Sequence, residues 1–170
     1  VAKFVETGLS FVISSNVPAK TMAEFVAHAK ANPGKLRYGT SGVGGASHLA
    51  SLLFERHAGV KMNHIPYKGV GPMVTDLIGG QVEFGVAALP SVQQHIKSGA
   101  LRAIGMGGAQ RTSAAPEIPT IAEQGLPSYV VEAWFGVIGP KGMSAADVKR
   151  VHDALKAAFA SLQSKLGAAA

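Results

Sequence analysis

Gly39-Thr40-Ser41-Gly42-Val43-Gly44-Gly45-Ala46-Ser47-His48-Leu49 stands between a short run, Leu36-Arg37-Tyr38-Gly39, and an apolar-periodic run from His48 to Ala58. A strand that passes through a turn of small residues into a helix is the repeating unit of α/β proteins. Small residues let the backbone approach a ligand closely. The helix N-terminus then offers unpaired N–H groups and partial positive charge to an anion. Thr40, Ser41 and Ser47 add hydroxyl donors. The stretch predicts an α/β fold and an anion-binding turn, with a purely structural turn as the alternative.

Three catalytic readings of this turn fail on spacing. A nucleophile elbow needs Gly-x-Ser-x-Gly, and counting from Gly39 and Ser41 puts Val43 at the last glycine. A phosphate-binding Walker loop needs Lys after its final glycine, and Gly45 follows Gly44. The dinucleotide fingerprint needs a third glycine where Ser47 stands. The turn can hold a charge without the groups that would do chemistry on it.

Outward from the turn, strand and helix signals alternate. Leu9 to Ile13 reads as a strand, and Thr21 with Glu24 matches a capping box ahead of Met22, Phe25, Val26 and Ala29. Asn32-Pro33-Gly34 stops that helix. Met62 to Ile65, Val82 to Val86 and Leu101 to Met106 read as further strands. Helices are expected from about Gly71 to Ile78 and from Ser91 to Lys97. The stretch from Gly107 to Pro127, with Pro116 and Pro119 inside it, reads as loop with one short helix near Thr120 to Gln124. Val130 to Ile138 is a strand candidate. Ser144 then caps a helix whose stripe is Val148, Val151, Leu155, Phe159, Leu162 and Leu166, with Gly167 at its end. The predicted fold is α/β, a largely parallel sheet flanked by helices.

Composition narrows the function classes. With 47% hydrophobic and 15% charged residues, the 170-residue chain can bury a real core. It has no cysteine, which excludes disulfides, thiolate metal sites and a Cys nucleophile. The net charge is +6, yet the basic residues are scattered and Lys149-Arg150 is their only adjacent pair. No aromatic residues alternate with a basic stripe, so nucleic-acid binding is not expected. No apolar run approaches the roughly twenty residues of a membrane span. Val1-Ala2-Lys3-Phe4-Val5 carries no signal-peptide pattern, so the chain is expected either to be cytosolic or to lack a processed N-terminal portion.

A second motif, His64-Ile65-Pro66-Tyr67-Lys68-Gly69, leads from a strand end into a helix. In a parallel sheet such a loop shares one crevice with the first turn. Tyr67 offers a hydroxyl and an aromatic wall, Lys68 a positive charge, and His64 a structural hydrogen bond. None of the six histidines forms a metal-ligand pattern, and Asp76, Glu83 and Glu123 fall on different elements. No metal, cofactor or catalytic residue is expected.

Taken in order, these segments resemble the Bug family of periplasmic solute receptors of tripartite tricarboxylate transporters. The resemblance rests on Pro18 to Thr21, Tyr38 to Leu49, His64 to Gly69, Asp76 to Val82 and Leu101 to Ala103, then Ile118 to Pro127 and Trp134 to Gly136. It implies one lobe of a two-lobed, type II-like periplasmic binding protein that captures a small carboxylate for membrane transporter subunits. It further implies that residues 1–132 are the ligand-binding lobe. Residues 133–170 would be a hinge strand and a helix that returns to a first lobe preceding this chain. By position, Thr40, Ser41, Gly42, Gly44, Gly45, Ala46, Ser47 and His48 would receive the carboxylate. Tyr67, Lys68 and Ala87 would lie beside the same cleft.

Where the family commonly carries an acidic or amide residue before Leu89-Pro90-Ser91, this sequence has Ala87-Ala88. A ligand without an amino group is therefore expected. The stripe on the 144–166 helix is expected to pack on its own lobe or on a second copy of the chain. Two rival readings are the effector-sensing domain of a transcription regulator, which shares the two-lobe architecture, and a phosphate-handling α/β enzyme.

Overall fold

Strand β1 (Ala2–Ser14) owes its place to residues that are apolar on both faces. Leu9, Phe11 and Ile13 point into one buried layer and Val12 into the other, as the two-residue period of a strand requires. The computed structural model describes residues 2–167, with side chains described for residues 8–134 and 136–161. The elements after β1 are α1 (Met22–Ala31), β2 (Arg37–Thr40), α2 (Ala46–Ala58), β3 (Asn63–Pro66), α3 (Val70–Ile78), β4 (Phe84–Ala88), α4 (Leu89–Lys97) and β5 (Leu101–Met106). A short 3-10 turn at Ala122–Gln124, β6 (Glu132–Val137) and α5 (Ala145–Gly167) follow.

The sheet runs in the order β3-β2-β4-β1-β5, with β6 pairing on β1. Strands β2, β3 and β4 are parallel, while β1 lies antiparallel to both β4 and β5. Hence β2, β3, β4 and β5 all run one way, and their carboxyl ends, Thr40, Pro66, Ala88 and Met106, share one edge of the sheet. Leu9 pairs with Ala88 and Ser10 with Met106, so the early part of β1 reaches that same edge. The expected α/β sheet is present, with β1 as the strand of opposite sense.

Helices α1 and α2 cover one face. There Phe11, Phe25, Phe54, Phe84 and Tyr129 build an aromatic cluster, with Phe25 and Phe84 stacked at 5.1 Å and Tyr129 edge-on to Phe11 at 5.6 Å. Tyr129 is fully buried, and its hydroxyl donates to the Ala50 carbonyl of α2 at 2.7 Å. On the other face Met73, Val74 and Leu77 of α3 and Val92 of α4 pack over Val12 and Ala87. After the expected loop of Gly107 to Pro127, Tyr129 returns to the core, and Val131 N–H donates to Gly107 O and Gly107 N–H to Leu9 O; the strand expected over Val130 to Ile138 runs from Glu132 to Val137.

Element boundaries show how local chemistry decides. Thr21 Oγ1 accepts the Glu24 N–H at 3.2 Å, as the capping box predicts, but the Glu24 carboxylate turns to the Lys20 N–H at 2.6 Å. Leu101–Met106 forms as expected. The fourth strand instead sits two residues further along, at Phe84–Ala88, because Pro90 opens α4 within its first turn and draws Leu89 into the helix. Ser144 caps α5, accepting the Asp147 N–H at 3.1 Å. Val148, Val151, Leu155 and Phe159 are half-buried along it, whereas the side chains of Leu162 and Leu166 lie outside those described.

The chain divides into two compact units, one of Thr7–Ala133 and the other of Val1–Glu6 with Trp134–Ala170. The first unit holds all the aromatic packing described above, and its cost of disruption is measurable. Replacing Phe54 by Ala should remove about 3–5 kcal/mol of stability, since the ring is fully enclosed. Tyr129→Phe deletes one buried hydrogen bond and should cost about 1 kcal/mol. Urea midpoints of the two variants against the parent check both values.

Candidate ligand-binding site

The site grows from the end of β2. Gly39, the last residue but one of that strand, has no room for a side chain: a Cβ there would sit 2.7 Å from Met73 Cγ and 3.2 Å from the Tyr67 ring. The chain then leaves the sheet through Gly42, Val43 and Gly44, where Gly44 adopts a left-handed φ of +77°. Gly45 caps α2 without a side-chain hydrogen bond. The N–H groups of the first helical turn are therefore left to solvent or a ligand. Val43 is 74% exposed on the outside of the turn, beside the glycines.

The hydroxyls of the turn mostly act as internal struts. Thr40 is fully buried; its Oγ1 donates to the Gly42 carbonyl at 3.2 Å and lies 2.6 Å from His64 Nε2. Ser47 is buried too. Its Oγ accepts the Ser41 N–H at 3.2 Å and lies 3.1 Å from Ser41 Oγ, while its carbonyl accepts from Ser51 Oγ at 2.8 Å. Of the three hydroxyl residues only Ser41 is exposed. His48 Nδ1 accepts the Gly44 N–H at 3.0 Å and so ties the helix back onto the turn.

The second loop is stitched to the first through the backbone. Tyr67 N–H donates to Thr40 O at 2.9 Å and Gly69 N–H to Ser41 O at 3.3 Å, so the loops after β2 and β3 form one surface. Lys68 is exposed beside them. Tyr67 departs from expectation: its hydroxyl donates to Asp76 Oδ2 at 2.7 Å and its half-buried ring lies under Gly39. Burial, with Asp76 alongside, pushes the Tyr67 phenol up to about 12. It is a brace between β3 and α3.

Ala87 is a correction. Its methyl group is 4% exposed and packs with Val12, Met73 and Val92, while its carbonyl accepts from Ser10 Oγ at 2.7 Å. Strand alternation gives the half-buried position to Ala88 instead. Ser10, which the sequence did not single out, and His64, expected to make a structural hydrogen bond and found against Thr40, also shape the site. Ser10, buried at the sheet edge, holds the end of β4. His64 stacks on Tyr38 at 5.0 Å and on His48 at 4.1 Å, with the His48 planes only 11° apart. Burial, and secondarily His48, lowers the His64 pKa below the ordinary histidine value. The signal for His64 in the sequence was a polar residue at the end of a strand, with no indication of which strand it would adjoin.

A cavity of about 390 Å³ lies away from this loop, between α1 and α2, lined by Met22, Val26, Lys30, His57, Gln124 and Leu126 among others. Its wall is largely apolar and none of the residues just described borders it. Among the described residues no cluster of His, Cys, Asp or Glu could hold a metal ion.

Comparison with known proteins places this geometry. The chain is 38% identical over 134 residues to BugT of Bordetella pertussis, which covers 79% of this chain and 41% of BugT. It is 39% identical over 154 residues to a UPF0065 protein encoded in the gbd 5' region of Cupriavidus necator, covering 89% of this chain and 46% of that protein. Among solved structures, the R. palustris protein Rpa4515 with adipate superposes with a TM-score of 0.85 at 31% identity, over 88% of this chain and 50% of that one. MatC from Rhodopseudomonas palustris with bound malate gives a TM-score of 0.89 at 26% identity, over 93% and 54%. The chain thus spans about half, or a little less, of the length of these proteins. The model of the tripartite tricarboxylate transporter family receptor matches residues 1–164, and the chain belongs to that family.

Proposed function

We propose that this chain is the ligand-loop lobe of an extracytoplasmic receptor that captures a small carboxylate and presents it to the membrane subunits of a tripartite tricarboxylate-type transporter. The observation that carries the reading is the uncapped N-terminus of α2 behind a glycine-rich turn, at the edge where the parallel strands end. A carboxylate placed there accepts backbone N–H groups and meets the positive end of the helix. The Ser41 hydroxyl, His48 and the Lys68 ammonium border the same surface. Thr40, Ser47 and Tyr67 act behind it by holding the two loops in register. Support also comes from the malate and adipate named for two structural relatives.

The reading is one of binding without catalysis. Asp76, on the helix after the second loop, accepts a hydrogen bond from the Tyr67 hydroxyl. The unit Thr7–Ala133 corresponds in our proposal to the ligand lobe, and the unit of Val1–Glu6 with Trp134–Ala170 to a hinge with a returning helix. The second half of the cleft would come from a companion lobe.

Thermal melting of the protein with mono-, di- and tricarboxylates tests this directly. A ligand that binds the native state raises the midpoint, by about 2.7 kcal/mol of stabilisation at a hundredfold excess over Kd. One acid without an amino group should raise it clearly, and aspartate should not, because neither Ala87 nor Ala88 offers a partner for an ammonium. If no carboxylate moves the midpoint, the receptor reading fails. Ser41→Ala should weaken binding of the selected acid about two- to tenfold through one lost hydrogen bond, read by calorimetric titration. Gly44→Ala should weaken it further, since a side chain at φ +77° strains the turn.

A further inference from the structure

His64 has three neighbours that each touch the ligand loop, and every nitrogen of the His48–His64 stack has an assignable role. Because Gly44 N–H donates to His48 Nδ1, that nitrogen is bare and Nε2 carries the His48 proton. We assign the Thr40 hydroxyl hydrogen to the Gly42 carbonyl, and in that assignment the 2.6 Å contact runs from His64 Nε2–H to Thr40 Oγ1. His64 Nδ1 is then the one imidazole nitrogen of the pair with a lone pair free of any hydrogen bond among the described residues.

A proton arriving at the stack has two places to go. On His48 it must take Nδ1 and break the bond to Gly44, deforming the turn. On His64 it takes Nδ1 and breaks nothing. The rings are 4.1 Å apart and nearly parallel, so His48 acts electrostatically on His64. The partial positive charge at the start of α2 also opposes protonation while the loop is empty. A carboxylate seated on the loop reverses that field.

We propose that His64 is a positioning residue that also accepts a proton when ligand binds: through Thr40 and His48 it sets the shape of the Thr40–His48 loop, and its Nδ1 takes up a proton as the anion docks. This rests on the receptor reading above. The other charged or titratable groups around the pair are accounted for. Tyr38 on β2 stacks on His64; Glu55 on α2 accepts the Met62 N–H; Asp76 on α3 is held by Tyr67. Arg37 on β2 is paired with Glu83, just before β4, and Lys68, after β3, is exposed. The displaced pKa of His64 in the unliganded chain, lowered mainly by burial, agrees with a proton that binds only once the anion is present.

The sign follows from linkage. Uptake of a proton on binding makes affinity rise as pH falls through the histidine range, by at most about tenfold per pH unit for one proton. Between pH 8 and pH 6, where the ligand's own carboxylates stay largely ionised, the gain should be about two- to tenfold.

The test is calorimetric titration of adipate and of malate into the protein at pH 6, in two buffers of different ionisation enthalpy, with Kd measured from pH 8 to pH 6. The expected result is uptake of a substantial fraction of one proton by the parent protein. His64→Phe keeps a ring against Tyr38 and His48 but has no nitrogen, so it should abolish the uptake, flatten the pH profile and weaken binding. If that variant does not fold, the proton count of the parent still decides. Binding with no proton uptake, or uptake unchanged in His64→Phe, overturns the role of His64 and leaves the receptor reading standing. No binding of any carboxylate at any pH overturns both.

Discussion

The position of β1 in the middle of the sheet governs everything that follows from it. A strand buried on both faces must satisfy two layers at once, and β1 does so with Phe11 and Ile13 on one side and Val12 on the other. Its antiparallel pairing with β4 and β5 makes four other strands finish at the same edge. That edge is where loops can be added without disturbing the core, and where helices begin with their positive ends outward. The aromatic cluster under α2 then fixes the helix whose N-terminus forms the proposed site. Phe54 and the Tyr129–Ala50 hydrogen bond anchor the middle of that helix, so its first turn is held on a rigid body.

At the site itself, the physical division of labour is between hydroxyls that hold the loop and N–H groups that are left over. A glycine-rich turn is entropically costly to order. Thr40, Ser47 and His48 order it by bonds to Gly42, Ser41 and Gly44 respectively. Each of those bonds satisfies a polar group that would otherwise compete for the ligand or collapse onto the helix end. In the proposed function, a loop braced in this way would have little reorganisation to undergo on binding, and preorganisation of that kind favours affinity.

Much of this was legible from local sequence, and the limits of legibility have a common cause. The turn from Gly39 to Leu49, the Thr21 and Ser144 caps, and the strand Leu101–Met106 are decided by neighbours within a few residues, and they could be read as such. The direction of β1 could not, because its alternation is the same whichever way the partner strands run. Val82, Phe84 and Val86 alternate equally well two residues early, so alternation alone does not say where β4 begins, while Pro90 in the first turn of α4 bears on where it ends.

The same reasoning explains why the site residues divide as they do. Those placed by sequence on the loop itself, Ser41 and His48 among them, sit on its surface because the turn carries them there. Tyr67 and His64 were harder to place, since their roles depend on partners from other elements: Asp76 one helix away for the first, Thr40 on the adjacent strand and His48 on α2 for the second. The parallel register of β2 and β3 pairs Tyr38 with His64, and it is this pairing that brings the imidazole against Thr40 and His48 at the Gly39–Leu49 turn. A histidine shifted by one position along β3 would point to the opposite face of the sheet and lose both contacts. Its placement is therefore a consequence of sheet register, and the chemistry of the loop inherits the precision of the sheet behind it.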